Sequence, residues 1–379
     1  MDFKLSKQHL LQQKLYRDFA EAEIRPIAQE MDETETFSMD LLGKLHKYGL
    51  MGIPFSRAYG GSGGDYLGFS LCMEEVSKID GATGLTMSVH SLACSCIDNF
   101  GTEEQKQRFL RPLVDGSKTG CFGLTEPNAG SDAAGQQSKA VLYHDKYTIN
   151  GTKIFTTNSG FADTFVMFAM TDKSKGIRGI SAFLVEKGAP GLAVGPNIRR
   201  MGVRASSNCE VSYENVEVPA SNRLGKEGDG FKIAMKALDG GRIGIAAQAV
   251  GLAQGALNEA VKYAKERKQF GKRISSFQSS QFKIADLQTR IDAARLMTHR
   301  AAAARDNGEN YSSHAAMAKL FASRMANDVC RECVQLMGGY GYCREYPVER
   351  ALRDAKITEI YEGTSEVMQM VIAGAMKVF

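Results

Sequence analysis

Between Ile245 and Ala264, apolar side chains at positions 245, 249, 252, 253, 256, 257, 260, 261 and 264 fall on one continuous stripe at helical spacing. A stripe this long needs other helices against it, so this part of the chain predicts a bundle. A second helical pattern covers 282–306, and the alanine runs at 302–304 and 315–316 suit close helix packing. Upstream the period changes. From about 120 to 225 the chain reads as short strands and turns: 165–170, 180–185 and 211–218, the last stopped by Pro219, are apolar and β-rich. Asn150-Gly151, flanked by Tyr147-Thr148-Ile149 and Lys153-Ile154-Phe155, predicts a two-residue hairpin. Residues 1–119 are helical again, as Leu41, Leu42, Leu45 and Leu50 illustrate, broken by the turn-forming Gly60–Gly64 cluster, which no G-K-S/T follows. The boundaries this predicts are 1–119 helical, 120–225 β, and 226–379 helical, with Gly225 to Gly230 as a linker. No internal repeat interrupts the scheme.

Composition narrows the function. A chain of 379 residues, 43% hydrophobic and 24% charged, buries a large core, and no apolar run approaches the roughly 20 residues of a membrane span. Its net charge of +4 is mild and no block of five or six basic residues occurs, so nucleic-acid binding is unsupported. The start, Met1-Asp2-Phe3-Lys4-Leu5, carries no apolar signal core, which predicts a cytoplasmic protein with its eight cysteines as thiols. Cys330 and Cys333 have C-x-x-C spacing but no second Cys/His pair at zinc distance, so they are expected to be buried structural thiols.

Two segments carry chemistry. Ile360-Tyr361-Glu362-Gly363-Thr364-Ser365-Glu366 places one carboxylate between apolar neighbours and a glycine turn. In a dry pocket such a carboxylate becomes a stronger base near neutral pH, suited to a weakly acidic carbon-bound proton. Read alone, a glutamate before a glycine is usually a helix-end or loop residue on the surface. Phe122-Gly123-Leu124-Thr125-Glu126-Pro127-Asn128-Ala129-Gly130-Ser131-Asp132 runs from a strand into a turn whose backbone N–H groups, with the Thr125 and Ser131 hydroxyls, are donors for a flavin edge or a diphosphate.

Together these segments resemble the acyl-CoA dehydrogenase family, which pairs an F-x-L-T-E-P-x-A-G-S-D flavin stretch with a C-terminal Y-E-G-T base segment. Other matches follow in the family's order along nearly the whole chain: Lys153-Ile154-Phe155-Thr156-Thr157-Asn158, Leu238-Asp239-Gly240-Gly241-Arg242, Arg267-Lys268-Gln269-Phe270-Gly271 with Phe277-Gln278, and Gln335-Leu336-Met337-Gly338-Gly339-Tyr340-Gly341. The short-chain, butyryl-CoA-type bacterial members are the most similar branch. The resemblance implies an α+β fold with an N-terminal α-helical domain, a middle β-barrel-like domain and a C-terminal four-helix bundle.

It also implies a mechanism. Glu362 would remove the α-proton of an acyl-CoA thioester while the β-hydrogen leaves as hydride to FAD, giving a trans-2-enoyl-CoA. The thioester oxygen would be held by the Glu362 N–H and a ribityl hydroxyl of FAD. Phe122, Leu124, Thr125, Gly130, Ser131, Phe155, Thr156 and Thr157 would hold the flavin, with Thr364 and Glu366 completing its pocket. Ser131, Asp239, Arg242 and Gly363 would meet the acyl-CoA. Arg242, Arg267 and Lys272 are candidate partners for the CoA or FAD phosphates. Phe270 would be a further cofactor contact, and Arg267, Gln278, Gln335, Leu336, Gly338 and Gly339 would reach the FAD of a neighbouring subunit, so that the resemblance implies a homotetramer. Electrons would pass to electron-transferring flavoprotein.

Some members carry the base just before the substrate-segment arginine; here that position is Gly241, leaving Glu362 as the candidate. The nitroalkane-oxidising branch uses aspartate instead. Phe155 stands where many members have tryptophan, and Thr156 replaces an apolar residue beside the flavin. His90, Cys94, Ser95 and Cys96 lie in a stretch that borders the acyl chain in the family, though a satisfied structural histidine reads equally from the sequence. Alternatives that the sequence leaves open are the same site run as an enoyl-CoA reductase for an aryl or branched substrate, an oxidase, and a non-catalytic acyl-CoA-binding protein. No metal site is expected.

Overall fold

A computed structural model describes residues 4–378; Met1–Phe3, on which the reading of the N-terminus partly rests, lie outside the described residues. The N-terminal third folds as α1 (Lys7–Phe19), α2 (Ala28–Thr34), α3 (Met39–Lys47), α4 (Tyr66–Ser77) and α5 (Gly81–Phe100), followed by the short α6 (Glu103–Gln105) and α7 (Arg111–Val114). Side-chain caps start the longer of these: Ser6, Ser38, Asp65 and Asp80 each accept a backbone N–H two or three residues into the following helix. Helices α4 and α5 are buried on nearly every face, as a core helix must be.

The middle region contributes β1 (Gly120–Gly123), β2 (Lys139–Tyr143), β3 (Lys146–Thr157), β4 (Thr164–Met170), β5 (Ile180–Glu186), β6 (Leu192–Asn197), β7 (Asn208–Pro219) and β8 (Arg223–Leu224). They form one mixed sheet in the order β6-β7-β3-β2-β4-β5-β8, with β1 parallel to β4. Strands β4 and β5 are buried on both faces. The period-2 alternation divides them between two cores: Val166, Phe168, Ala182 and Leu184 pack toward α5, whereas Phe165, Met167, Phe183 and Val185 face Tyr147 and Tyr213 inside the β-layer.

The expected hairpin at Asn150-Gly151 is not there. Strand β3 runs straight through, and the β2–β3 turn is at His144-Asp145. Asn150 and Asn215 instead exchange hydrogen bonds across a register shift between β3 and β7, Nδ2 to Oδ1 at 3.0 Å and Asn215 N–H to Oδ1 at 2.8 Å. Glycine is needed at 151 for close approach: a Cβ there would stand 2.2 Å from Ser138 Oγ. A bulge and a hairpin ask for the same dipeptide, and the sequence pattern does not separate them.

The rest is helical. Helix α8 (Gly230–Glu266) contains the predicted stripe, then the small β9 (Lys268–Gln269) and β10 (Lys272–Arg273) form a hairpin. Helices α9 (Gln278–Asp306), α10 (Ser312–Met337), α11 (Val348–Ile357) and α12 (Ser365–Ala375) complete the bundle. Ile243, Ala246 and Val250 of α8 share one core with Phe69 and Met73 of α4 and with Ala315, Ala318 and Ala322 of α10. The bundle and the N-terminal helices are thus one hydrophobic unit. The eight cysteines are unpaired, seven of them buried and Cys343 exposed. Among the described residues, no helix is long and apolar enough to cross a membrane.

Candidate active site

Glu362 sits in the turn between α11 and α12, held in the left-handed region at φ 53°, with Gly363 following at φ 101°. A non-glycine residue there is uncommon and is found where surrounding contacts fix it. Here those contacts come from three helices. Ser88 Oγ of α5 donates to Glu362 Oε1 at 3.2 Å. Arg242 Nε of α8 points at the Glu362 carbonyl at 3.5 Å, and Lys319 Nζ of α10 donates to the Gly363 carbonyl at 2.6 Å. Beside them, the Tyr361 hydroxyl donates to Gln248 Oε1, and Gln248 Nε2 donates to the Gly81 carbonyl at 2.7 Å.

The second carboxylate oxygen, Oε2, is buried with no hydrogen-bond partner among the described residues. It lies against the bare backbone of α8, where a Cβ on Gly241 would come within 2.1 Å of it and 2.7 Å of Leu92 Cδ2. Burial pushes the Glu362 carboxyl up to about 7, against the weaker pull of Lys319, Ser88 and Arg242. The Glu362 N–H has no acceptor among the described residues. The carboxyl thus combines a neutral-range proton affinity with one oxygen that no group among the described residues engages.

The flavin-type segments meet in a separate, tightly bonded unit. Lys153 of β3 is fully buried and its Nζ donates to Glu126 Oε1 at 2.7 Å, Gln136 Oε1 at 3.0 Å and the Leu124 carbonyl at 3.1 Å. Glu126 also accepts the Gln137 and Ser138 N–H groups, and the Ile154 N–H reaches the Thr125 carbonyl at 2.9 Å. Burial of Glu126 is outweighed by the Lys153 charge and the Gln137 N–H, so its carboxyl lies below the usual range. The loop after β1 and the end of β3 are therefore clamped together. Phe122 is half-buried with its ring 5.1 Å from Phe168, Leu124 is buried, and Gly130 and Ser131 are exposed. Phe155, at φ 55°, is 56% exposed. Thr156 is buried with its hydroxyl unpartnered, while Thr157 Oγ1 accepts from Asn208 Nδ2 at 3.1 Å. Asn158 joins the two units, donating to the Thr86 carbonyl at 3.0 Å, two residues before Ser88.

Arg242, a candidate phosphate partner and acyl-CoA contact by sequence, is 4% exposed and paired with Asp239 at 2.7 Å, whose Oδ1 also accepts from Ser312 Oγ at 2.9 Å. Thr364 caps α12 through the Val367 N–H at 3.3 Å, and Glu366 is exposed in its first turn. His90 is fully buried; its Nδ1 accepts the Gly120 N–H at 3.1 Å, it lies beside Cys94 Sγ at 3.4 Å, and burial drives its pKa down to about 3. It is a satisfied, neutral histidine.

The remaining predicted residues gather elsewhere. Arg267, Gln335, Leu336, Gly338 and Gly339 line a groove of about 490 Å³, with the Arg267 guanidinium 5.2 Å from the Tyr340 ring. Phe270, 94% exposed, tips the β9–β10 hairpin, and Gln278 opens α9 on the surface. At 1.5 Å rise per residue, Gln335 is about 24 Å along α10 from Lys319. One chain does not bring both sets together.

Sequence reasoning passed over Ser88 and Lys319. The signal for Lys319 was present: positions 315, 318, 319, 322 and 326 make an apolar helical stripe in which the lysine is the exception.

Fold and site together set the desolvated Glu362 carboxyl of the helical unit beside the clamped loop that follows β1. Models of the N-terminal, middle and C-terminal domains of acyl-CoA dehydrogenases match residues 6–117, 121–216 and 228–377. The short-chain-specific acyl-CoA dehydrogenase of Clostridium acetobutylicum is 55% identical over 99% of each chain. Butyryl-CoA dehydrogenase from Megasphaera elsdenii superposes with a TM-score of 0.98 at 49% identity over 100% of each chain. A chain in the structure of the electron transferring flavoprotein of Acidaminococcus fermentans gives 0.98 at 51% identity over 99% of each. The chain belongs to the acyl-CoA dehydrogenase family and is an FAD-dependent oxidoreductase.

Proposed function

We propose that this enzyme oxidises a short-chain acyl-CoA, butyryl-CoA or one of similar length, to the trans-2-enoyl-CoA, with Glu362 as the base that takes the α-proton. The observation that carries this is the free, buried Oε2 of Glu362 at a pKa of about 7, beside an unclaimed backbone N–H. An α-proton of a thioester is only weakly acidic. A desolvated carboxylate supplies the basicity, and the Glu362 N–H is a donor for the thioester oxygen as enolate charge develops.

The residues present suit FAD. A Cβ on Gly130 would meet nothing within 4 Å, the Thr156 hydroxyl is buried without a partner, and Phe155 offers an open ring face. Phe122, Leu124, Thr125, Ser131, Thr157, Thr364 and Glu366 complete the set assigned to the cofactor. When bound, FAD accepts the two electrons and the β-hydrogen that the substrate gives up. The chain's own part is to hold the ring, exclude water and move the proton at Glu362 Oε2. Asp239, Arg242 and Gly363 frame the thioester side, with Arg242 acting through the base turn.

The exposed second set, about 24 Å away along α10, is assigned to the FAD of a neighbouring chain, so the working form is a homotetramer. Electron-transferring flavoprotein is the proposed acceptor, on the similarity reported above. The same carboxylate serves both directions, so the partner's potential sets which one the cell uses.

The test is the visible spectrum of the FAD-loaded protein under anaerobic conditions, before and after butyryl-CoA. Bleaching of the flavin band is expected. An unbleached band moves the substrate to branched, aromatic or longer acyl-CoAs, and failure to take up FAD overturns the reading.

A further inference from the structure

Lys319 is a fully buried lysine set among Ala315, Ala318 and Ala322, a place where an ammonium survives only with partners. Its Nζ hydrogen bond goes to the Gly363 carbonyl, one residue past the base, and not to the base's carboxylate. From α8, Arg242 Nε approaches the Glu362 carbonyl at 3.5 Å. Two successive carbonyls of the base turn thus face cations from two different helices. We propose that Lys319 is a positioning residue for proton abstraction, clamping the turn through the Gly363 carbonyl and supplying positive charge at one remove, so that Glu362 stays ionised while Oε2 remains free.

A direct ion pair would defeat the purpose, because it would occupy the oxygen that must take the proton and weaken the base. A lysine one carbonyl away avoids both. Among the described residues, the groups that act on the Glu362 carboxyl come from three helices. Helix α5 gives the Ser88 hydroxyl; α8 gives Arg242, tied to Asp239; α10 gives Lys319. On the base's own segment, Tyr361 is bound to Gln248, Glu359 pairs with Lys356, and Glu366 lies in the field of Arg324. Lys319 is the principal opponent of burial at Glu362, and Glu362 is the principal support for the charge on Lys319.

The inference rests on Glu362 being the base, and its test keeps the two apart. Lys319→Met is made in the FAD-loaded protein and the pH dependence of flavin reduction by butyryl-CoA is followed. The midpoint of the acid limb is expected to move up by about one pH unit with FAD content unchanged. Independently of turnover, the infrared carboxyl band that disappears in Glu362→Gln should titrate at the same raised midpoint. Lys319→Gln, neutral but able to donate, should show the same shift and substitutes if the methionine variant is insoluble. An unmoved infrared midpoint overturns the role of Lys319, as does failure of both variants to fold with FAD, which would assign it to packing. A wild-type flavin that no acyl-CoA reduces would instead overturn the functional reading, while the infrared midpoint still reports on Lys319.

Discussion

The molecule sets two desolvated glutamate carboxyls, on the buried Glu126 and the half-buried Glu362, each near a buried lysine, and treats them in opposite ways. At Glu126, Lys153 Nζ sits 2.7 Å from the carboxylate and two backbone N–H groups fill the remaining positions. At Glu362, the lysine is given to a carbonyl one residue on, one oxygen receives a single serine hydroxyl, and the other receives nothing. The first carboxyl is held below its usual range and the second is pushed up to about 7. Burial is common to both, so the number and placement of donors decides the outcome. A satisfied carboxylate clamps the loop after β1 to β3, and an unsatisfied one is left with the proton affinity that the proposed base needs.

The largest expected effect comes from removing the unsatisfied group. Glu362→Gln should retain FAD and acyl-CoA yet slow flavin reduction by about 10^4-fold, at the upper end for a general base, as read by anaerobic stopped-flow at the flavin band. Reduction at a near wild-type rate would remove Glu362 from the mechanism. Next comes the clamp. Lys153→Met leaves Glu126 charged and buried, and is expected to cost about 3–5 kcal/mol by chemical denaturation, with loss of FAD from the purified protein. Adding Glu126→Gln to that variant should recover part of the stability; a double mutant no better than the single would mean that Glu126 is not charged in the fold.

Legibility in the sequence followed the same division. Helical stripes, the strand-rich middle and both motif segments could be read directly, because each repeats a period or a local turn chemistry. The 245–264 stripe lies within α8, and 165–170 and 180–185 lie within β4 and β5. What the residue types did not reveal was which partners they would keep. Glu126 and Glu362 are both glutamates in turn-rich motifs, and their difference depends on Lys153, Ser88 and Lys319, which arrive from distant segments. For Arg242 the charge and the i,i+3 pairing with Asp239 are local, whereas its burial under the Glu362 turn and the tie of Asp239 to Ser312 depend on segments far along the chain. The hairpin expected at Asn150-Gly151 failed for that reason, since Ser138 and Asn215 decide between turn and bulge.

Gly241→Ala probes the empty side of Glu362. The added methyl would meet first Oε2 and Cδ of Glu362 and the end of Leu92, side-chain atoms able to swing aside, so folding and FAD binding should survive. The carboxylate, displaced by roughly an ångström, should reduce the rate of flavin reduction by about 100-fold with little change in denaturation midpoint. An unchanged rate would mean that the base has more room than its packing against α8 implies.

The smallest effect is also the one that separates the two glutamates most cleanly, because the same substitution should change stability in opposite directions. The Glu362 carboxyl titrates at about 7 in the fold, above its unfolded value, so the native state binds the proton more tightly. Its contribution to stability is fully present below the unfolded pKa and is lost as pH rises through 7, leaving an ionised, under-solvated carboxylate that costs free energy. Glu362→Gln should therefore stabilise the protein at pH 8 by about 1–3 kcal/mol, with the gain fading toward pH 4.5. Glu126 lies below its unfolded value, so it stabilises the fold above that value and loses the contribution as pH falls through the folded one. Glu126→Gln should destabilise at pH 8. Denaturant melts of both variants at pH 8 and near pH 5 check this, and equal signs for the two would show that placement of donors is not what distinguishes clamp from base.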